Sequence, residues 1–532
     1  MLSRFWQSVG WSLGLLGLCC LAVSCMRLPP APANLDRIVI GTTSTLSTLD
    51  PADVYATFPG TLLYNLGDRL YSYKLGSTNL EPQLATALPQ VSANGLVYTV
   101  PLRQGVKFHD GSDFDASAMA FSLQRFMQNG GGPAFLLADA IAAVKATGKY
   151  TLTIELKQPF AAFPALLAFS GACAVSPQAY VIKPGEFKKD AFVGTGPYKL
   201  EKYGTDQIKL VAFDQYWGAK AANRGVDIQF FSSAANLFNA FRTGAVDVAY
   251  QSLALDQVHN LQQSAQATGW QVIERSGSGI SYLSLNLQSP PLDKVEVRQA
   301  IAAVIDRVVL EQRVFQSQVA ALYSLIPTTL TAQKPVFQPV GGRDRARTLL
   351  TQAGYSLANP LKVEFWYRSN VGNDRLAAAT LKALVQRQLG GLLQFDLKSV
   401  ESTAAYKNLD KGAYPLFLLD WSPDFFDADN YIQPFMACAK GSATTGCTAG
   451  ASFGQGSFYF SDRVNQLIDR SRQVQNPATR QQIFAELQDI LAAEVPFIPL
   501  WQSKDFLFAQ KNIRGASLEV TQKVPFWTLQ KS

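Results

Sequence analysis

The chain has 532 residues, 47 basic against 40 acidic side chains, a net charge of +7, and is 48% hydrophobic and 16% charged. This balance excludes a disordered chain, and the lack of any dense Lys/Arg cluster excludes an electrostatic nucleic-acid footprint. The length exceeds what one core can serve, so two or three domains or lobes are expected.

The N-terminus comes first. Arg4 precedes an apolar run over residues 13–23. That run is far short of the ~20 residues a bilayer-spanning helix needs, and small residues close it, so residues 1–24 read as a secretory signal peptide. Ala22-Val23-Ser24-Cys25 resembles a bacterial lipobox, with Ala22 standing where Leu is usual. Cys25 is therefore the expected lipidation site; plain cleavage nearby or an uncleaved anchor is the alternative. Residues 25–36, rich in proline, read as an extended tether.

Beyond it, residues 37–42 (RIVIGT) form an apolar, β-branched strand, and Leu49-Asp50-Pro51-Ala52 marks a turn. Leu62, Leu66 and Leu70 at i, i+4 spacing predict a helix over 60–73. A strand at 97–102 is followed by a helix over 116–127 entered through Asp115 as N-cap. Residues 150–156 (YTLTIEL) alternate as a half-buried strand. Strands at 208–213 and 226–231, a helix at 235–243 and a strand at 246–250 suggest a βαβ unit. Residues 280–287 form another strand. Val297, Ile301, Val304, Ile305 and Val308 form a helical stripe. A strand at 362–367, a helix at 375–389 and a buried strand at 416–419 ending on Asp420-Trp421 follow. Late helices cover 461–474 and 477–492, the second opened by the Asn476-Pro477 cap pair.

The cysteines sort by context. Cys19 and Cys20 lie in the leader, and Cys173 lies in an apolar stretch and reads as a buried thiol. Cys438 and Cys447 flank a Gly/Ser/Thr-rich loop. In an exported chain they are disulfide candidates, worth roughly 2–3 kcal/mol by loop-closure entropy; two free thiols are the alternative. The two histidines, His109 and His259, are near no cysteine pair, so no structural zinc or other metal site is expected. No GxSxG, Walker A or HExxH pattern is present, and Gly130-Gly131-Gly132 matches no phosphate cradle. His109 beside Asp110 reads as a hydrogen-bonded strand-end turn rather than a base.

Several segments carry a family likeness. The stretch 98–111 (YTVPLRQGVKFHDG), ending on Phe108-His109-Asp110-Gly111, closely resembles the signature of bacterial extracellular solute-binding proteins of family 5, the peptide- and nickel-binding group. Glu81-Pro82-Gln83-Leu84-Ala85, Gly194-Thr195-Gly196-Pro197-Tyr198, the helix holding Arg298, Ala300, Ile301 and Ile305-Asp306-Arg307, and Pro496-Phe497-Ile498-Pro499-Leu500 match its further marks in order. The resemblance spans roughly residues 37–525. It implies an α/β, two-lobed type II periplasmic-binding-protein-like fold with an additional packed domain, its mixed sheets flanked by helices. Residues 37–80, 193–287 and 504–532 would form lobe I, 81–192 the accessory domain on it, and 288–503 lobe II.

The likeness also implies a function: a lipid-anchored, exported monomer that captures a small ligand between its lobes and delivers it to the permease of an ABC importer, without chemistry of its own and without a cofactor. In the family's peptide binders a Trp-x-x-Asp element supplies the carboxylate that pairs with the peptide's ammonium. Trp421-Ser422-Pro423-Asp424 has that shape, although Pro423 and Phe425-Phe426 depart from commoner versions. Thr45 and Leu46, and Tyr282, Ser284 and Asn286, occupy the positions of cleft-lining strands. A non-peptide solute such as a sugar or metal chelate, or a sensing role, is the alternative. An exported hydrolase is opposed by the lack of a nucleophile or metal motif.

Overall fold

A computed structural model describes residues 37–250, 253–338 and 342–532. The leader, Cys25 and the tether lie outside the described residues.

The β-branched run Arg37–Thr42 becomes a central strand because neighbours cover both its edges. It pairs in parallel with Gly225–Phe230 on one side and Val248–Tyr250 on the other. The helix Ala234–Arg242 connects those two neighbours, which completes the βαβ unit. Gln207–Ala212 and Tyr198–Lys202 extend this end of the sheet antiparallel. At the other end, Leu393–Val400, Leu361–Arg368 and Leu416–Trp421 run parallel to one another.

Two long strands join the halves. Gln271–Leu285 and Phe497–Ala509 lie antiparallel; the first borders Leu416–Trp421 and the second borders Val248–Tyr250, so together they bridge the two ends of the sheet. Their register breaks between Ser276 and Ile280. Gly277 occupies this break, and a Cβ there would stand 2.1 Å from Ser503 Oγ and 2.6 Å from Asp505 Oδ2. Any side chain at 277 would have to displace both of these side-chain oxygens.

Three large cores result. The first body packs Ile38, Ile40, Leu62, Leu66, Val226, Val248, Leu507 and their neighbours. A layer on this body packs the strands Val97–Pro101 and Thr151–Leu156 against the helix Ala116–Gln128. Ile280, Tyr282, Leu283 and Leu285 belong to the second body, whose core runs from 280 to 501.

The helix expected over 60–73 is Thr57–Leu66 instead, and Tyr71–Tyr73 is a strand paired with Leu80–Pro82. Leu66 and Leu70 share helical spacing, but Leu66 is buried in the first body and Leu70 in the layer above it. One helix face cannot serve two cores. The stripe through Val308 is likewise interrupted: the helix Val295–Ala303 ends, Asp306 caps a new turn, and Val308 is exposed. Asp115 caps its helix by accepting from the N–H groups of Ser117 and Ala118, and Asn476 caps Pro477–Glu494 through Thr479 N–H.

Cys438 and Cys447 are disulfide-bonded across the hairpin of Lys440–Ser442 and Gly446–Ala449. Cys173 is buried, and burial pushes its thiol up to about 12.

Two of the sequence marks brace each other. His109 Nδ1 accepts from Gly194 N–H at 3.3 Å, and Nε2 lies 3.0 Å from Gly196 O. A carbonyl can only accept, so the proton sits on Nε2 and the ring is neutral. Burial lowers its pKa to about 4. The unfolded chain takes up that proton near its ordinary 6.5, so as pH falls from 6.5 towards 4 the unfolded state binds more protons than the folded one. Stability is full above 6.5 and declines on acidification. Part of the ring remains exposed, so about 2 kcal/mol is expected between pH 7 and 4. Urea titrations across that range should show a shallower decline for His109→Gln than for the natural chain; parallel declines would remove His109 as the cause.

Candidate ligand cleft

The strand Leu416–Trp421 runs out of the second body towards the first, and the helix Asp429–Met436 returns the chain. The intervening loop and the first residue of that helix hold three carboxylates, and their partners separate their roles. Asp427 accepts both arms of the Arg480 guanidinium at 2.8 and 2.9 Å. Asp429, 1% exposed, accepts both arms of Arg472 at 2.7 and 2.8 Å. These forked pairs tie the loop to the helices Asp462–Gln473 and Pro477–Glu494.

Asp424 has no such partner: among the described residues no cation lies within ion-pair range of it. Tyr55 of the first body donates to its Oδ1 at 2.5 Å, and Asn430 Oδ1 accepts the Asp424 N–H at 2.9 Å. Burial raises the Asp424 pKa, while the hydrogen bonds of Tyr55 and Asn430 pull it down. The result is a held, half-buried carboxylate whose charge nothing neutralises.

It borders two cavities. One, about 340 Å³, lies between the bodies and is lined by Tyr55, Thr57, Arg69, Asp424, Phe426 and Lys523, among others. The other, about 680 Å³, lies on the far side of Asp424 and is lined by Phe160, Trp421, Phe425, Gln455 and Arg472, among others. Both are within the size range of small-ligand sites.

The bodies touch at the loop tip. Phe425 is buried in the core of the first body's layer, edge-on to Phe160 at 5.7 Å between ring centres. Phe426 packs edge-on to Tyr73, whose hydroxyl accepts the Phe426 N–H at 3.3 Å. The unusual Phe425-Phe426 pair thus adds the apolar part of a contact that the Tyr55–Asp424 and Ala161–Arg472 bonds also make.

The other candidate residues are placed differently. Trp421 borders the larger cavity and packs on Phe435 at 5.6 Å; its indole N–H is buried without a partner. Tyr282, Ser284 and Asn286 border neither cavity. The hydroxyl of Tyr282 donates to Gln455 Oε1 at 2.9 Å, Ser284 to Gln455 O at 2.8 Å, and Asn286 to Gly412 O at 3.3 Å. Tyr282 and Ser284 lie on the strand Gln271–Leu285 and Asn286 just follows it; all three are buried, and Tyr282 belongs to the core of the second body. Thr45 is exposed and Leu46 packs on the first body; neither borders the cavities. Tyr55, Arg69 and Lys523 were not singled out from the sequence, where no periodicity or motif marks them. No group of metal-holding side chains occurs among the described residues, and none of their helices is long and apolar enough to cross a membrane.

Residues 79–443 match the family described as bacterial extracellular solute-binding proteins, family 5 middle. The glutathione-binding protein GsiB of Escherichia coli is 27% identical over 528 residues, covering 94% of this chain and 95% of that one. Heme-binding protein A of Haemophilus influenzae is 25% identical over 476 residues, covering 84% and 83%. The structure of HbpA2 from Haemophilus parasuis superposes with a TM-score of 0.81 at 21% identity, covering 93% of this chain and all of that one. Its fold is that of the type II periplasmic binding proteins. The chain belongs to the bacterial extracellular solute-binding proteins of family 5.

Proposed function

We propose that this chain captures a short peptide for an ABC importer, with Asp424 receiving the peptide's ammonium group. The observation that supports this most is the state of Asp424. Two of the three carboxylates after Trp421 are paired with arginines, whereas Asp424 borders a cavity with no cation in ion-pair range among the described residues. A desolvated ammonium would supply the missing charge through bonds of the stronger, charge-assisted kind. An uncharged sugar would leave the carboxylate uncompensated. Glutathione, named for the relative in Escherichia coli, is a peptide with a free ammonium. The heme named for the other relative has no ammonium, so it would use Asp424 differently.

Capture requires no chemistry. Ligand that touches both bodies favours their joined arrangement over their separated one, and that shift is what a permease would read. The leader and Cys25 support export and lipid anchoring beside such a permease. Loss of fatty-acid labelling in Cys25→Ser, with labelling of the natural chain, is the expected result; labelling of both would move the anchor elsewhere.

The reading of Asp424 is tested by titration calorimetry with dipeptides in free and N-acetylated form. Asp424→Asn is expected to lower affinity for the free forms by roughly 10- to 100-fold, as a charged hydrogen bond of about 1.5–3 kcal/mol implies. It should change affinity for the acetylated forms little. Equal losses for both would remove Asp424 from the ammonium role.

A further inference from the structure

The smaller cavity has a second polar end that family likeness did not mark. Arg69 is 1% exposed and borders the cavity. Its Nη1 donates to Gly67 O at 2.8 Å and its guanidinium lies over the Tyr64 ring at 4.9 Å, but its Nη2 is buried with no partner. The adjacent carboxylate, Asp68, does not supply one: it accepts from Gln83, Thr195, Tyr216 and Trp217. That network fixes the 67–69 segment and so fixes the guanidinium.

Lys523 lines the same cavity. Its Nζ donates to Thr57 O at 3.2 Å and rests on Gly60, where a Cβ would stand 2.9 Å away. Burial and the charge of Arg69 lower its pKa to about 8. Thr57 opens the helix Thr57–Leu66; Pro59 has no N–H and the Gly60 N–H donates to Ala56 O at 3.0 Å, so the first-turn donors are those of Thr57 and Phe58, and the N-cap, Ala56, offers them no side-chain acceptor. Ala56, Thr57 and Gly60 all border the cavity. The positive end of the helix therefore adds to the two cations. Glu519 also borders the cavity, but its Oε2 accepts Gly76 N–H at 2.5 Å and it forms no ion pair with Arg69 or Lys523.

We propose that Arg69, Lys523 and the first turn of Thr57–Leu66 form an anion subsite that takes a carboxylate of the captured ligand. The ligand class is then zwitterionic, with an ammonium at Asp424 and a carboxylate in the same cavity. This deepens the reading of Asp424 and rests on it for the ammonium half. An orphaned guanidinium nitrogen, an ammonium on the same cavity and a helix start without a side-chain cap are each relieved by the same negative group.

The test uses the full chain and one synthetic pool of dipeptides and tripeptides in three forms: free, N-acetylated and C-amidated. Retention is read by native mass spectrometry. The natural chain should retain the free pool at least tenfold better than either blocked pool. Lys523→Gln should lose its preference for free over amidated peptides while keeping its preference for free over acetylated ones. Asp424→Asn should do the reverse. A Lys523→Gln chain with an unchanged free-over-amide preference overturns the anion subsite alone. Equal retention of free and acetylated pools by the natural chain overturns the Asp424 reading alone. Retention of no pool overturns both. Calorimetry of the free pool at pH 8 in buffers of different ionisation heat supplies a second readout. A carboxylate beside Lys523 raises its pKa, so binding should take up protons there, in addition to those the peptide's own α-amino group takes up at Asp424, and Lys523→Gln should lower the uptake by the Lys523 share. Uptake left unchanged by the substitution counts against Lys523.

Discussion

Replacing Arg125 with alanine is expected to destabilise the first body and its layer by about 3–5 kcal/mol. The Arg125 guanidinium meets Asp50 in a two-armed pair, both bonds 2.7 Å, with side chains 3% and 0% exposed. Its Nε also donates to Val181 O at 3.1 Å, and its plane lies over Tyr180 at 4.6 Å. Asp50 in turn accepts from the N–H groups of Ala52 and Lys188. The pair joins a helix of the layer to the Leu49-Asp50-Pro51 turn below it. Alanine would leave a carboxylate buried without its cation, which is costlier than never having buried the pair. Urea unfolding followed by circular dichroism should show the early transition shift, with the second body's transition unmoved. Combining Asp50→Asn with Arg125→Met should recover most of the loss, because no charge is then stranded. A single Arg125→Ala loss below about 1 kcal/mol would mean that water reaches Asp50.

Replacing Phe425 with alanine is expected to speed ligand release by about 10- to 100-fold. The ring is 7% exposed, and it is buried in a core to which its own body contributes no other buried residue. Removing it subtracts roughly 2–3 kcal/mol of apolar burial, and that loss falls on the contact between the bodies. The neighbouring bonds, Ala161 N–H to Arg472 O at 2.7 Å and Phe426 N–H to Tyr73 Oη, remain. Stopped-flow displacement should therefore show faster dissociation and a nearly constant association rate. Small-angle scattering with ligand should show a larger radius of gyration. Tyr73→Phe, which removes one neutral hydrogen bond, should change release by less than tenfold. Unchanged release in Phe425→Ala would show that the bodies are held together elsewhere.

Much of this fold is legible residue by residue. The strand at 37–42, the caps at Asp115 and Asn476, and the helices that follow them depend on neighbours a few positions away. So does the pairing of Cys438 with Cys447, nine residues apart in sequence. Family likeness led to Asp424, and the structure sets it in a cleft. The same likeness led to Tyr282, Ser284 and Asn286, which face the interior of the second body. Alternation along a strand gives its two faces, but not which layer covers each of them.

The sequence by itself determined the local elements, their caps, the short disulfide loop and the acidic cluster after Trp421. Only the tertiary structure decided which carboxylate of that cluster is left uncompensated. Asp427 and Asp429 are neutralised by arginines 53 and 43 residues away, and Asp424 meets a tyrosine 369 residues away. Likewise, only the tertiary structure set Arg69 and Lys523 around one cavity, and divided Leu66 from Leu70 between two cores. The physical reason is range. Periodicity and capping act over one or two turns, whereas charge compensation and burial depend on which distant segments the packed bodies bring together.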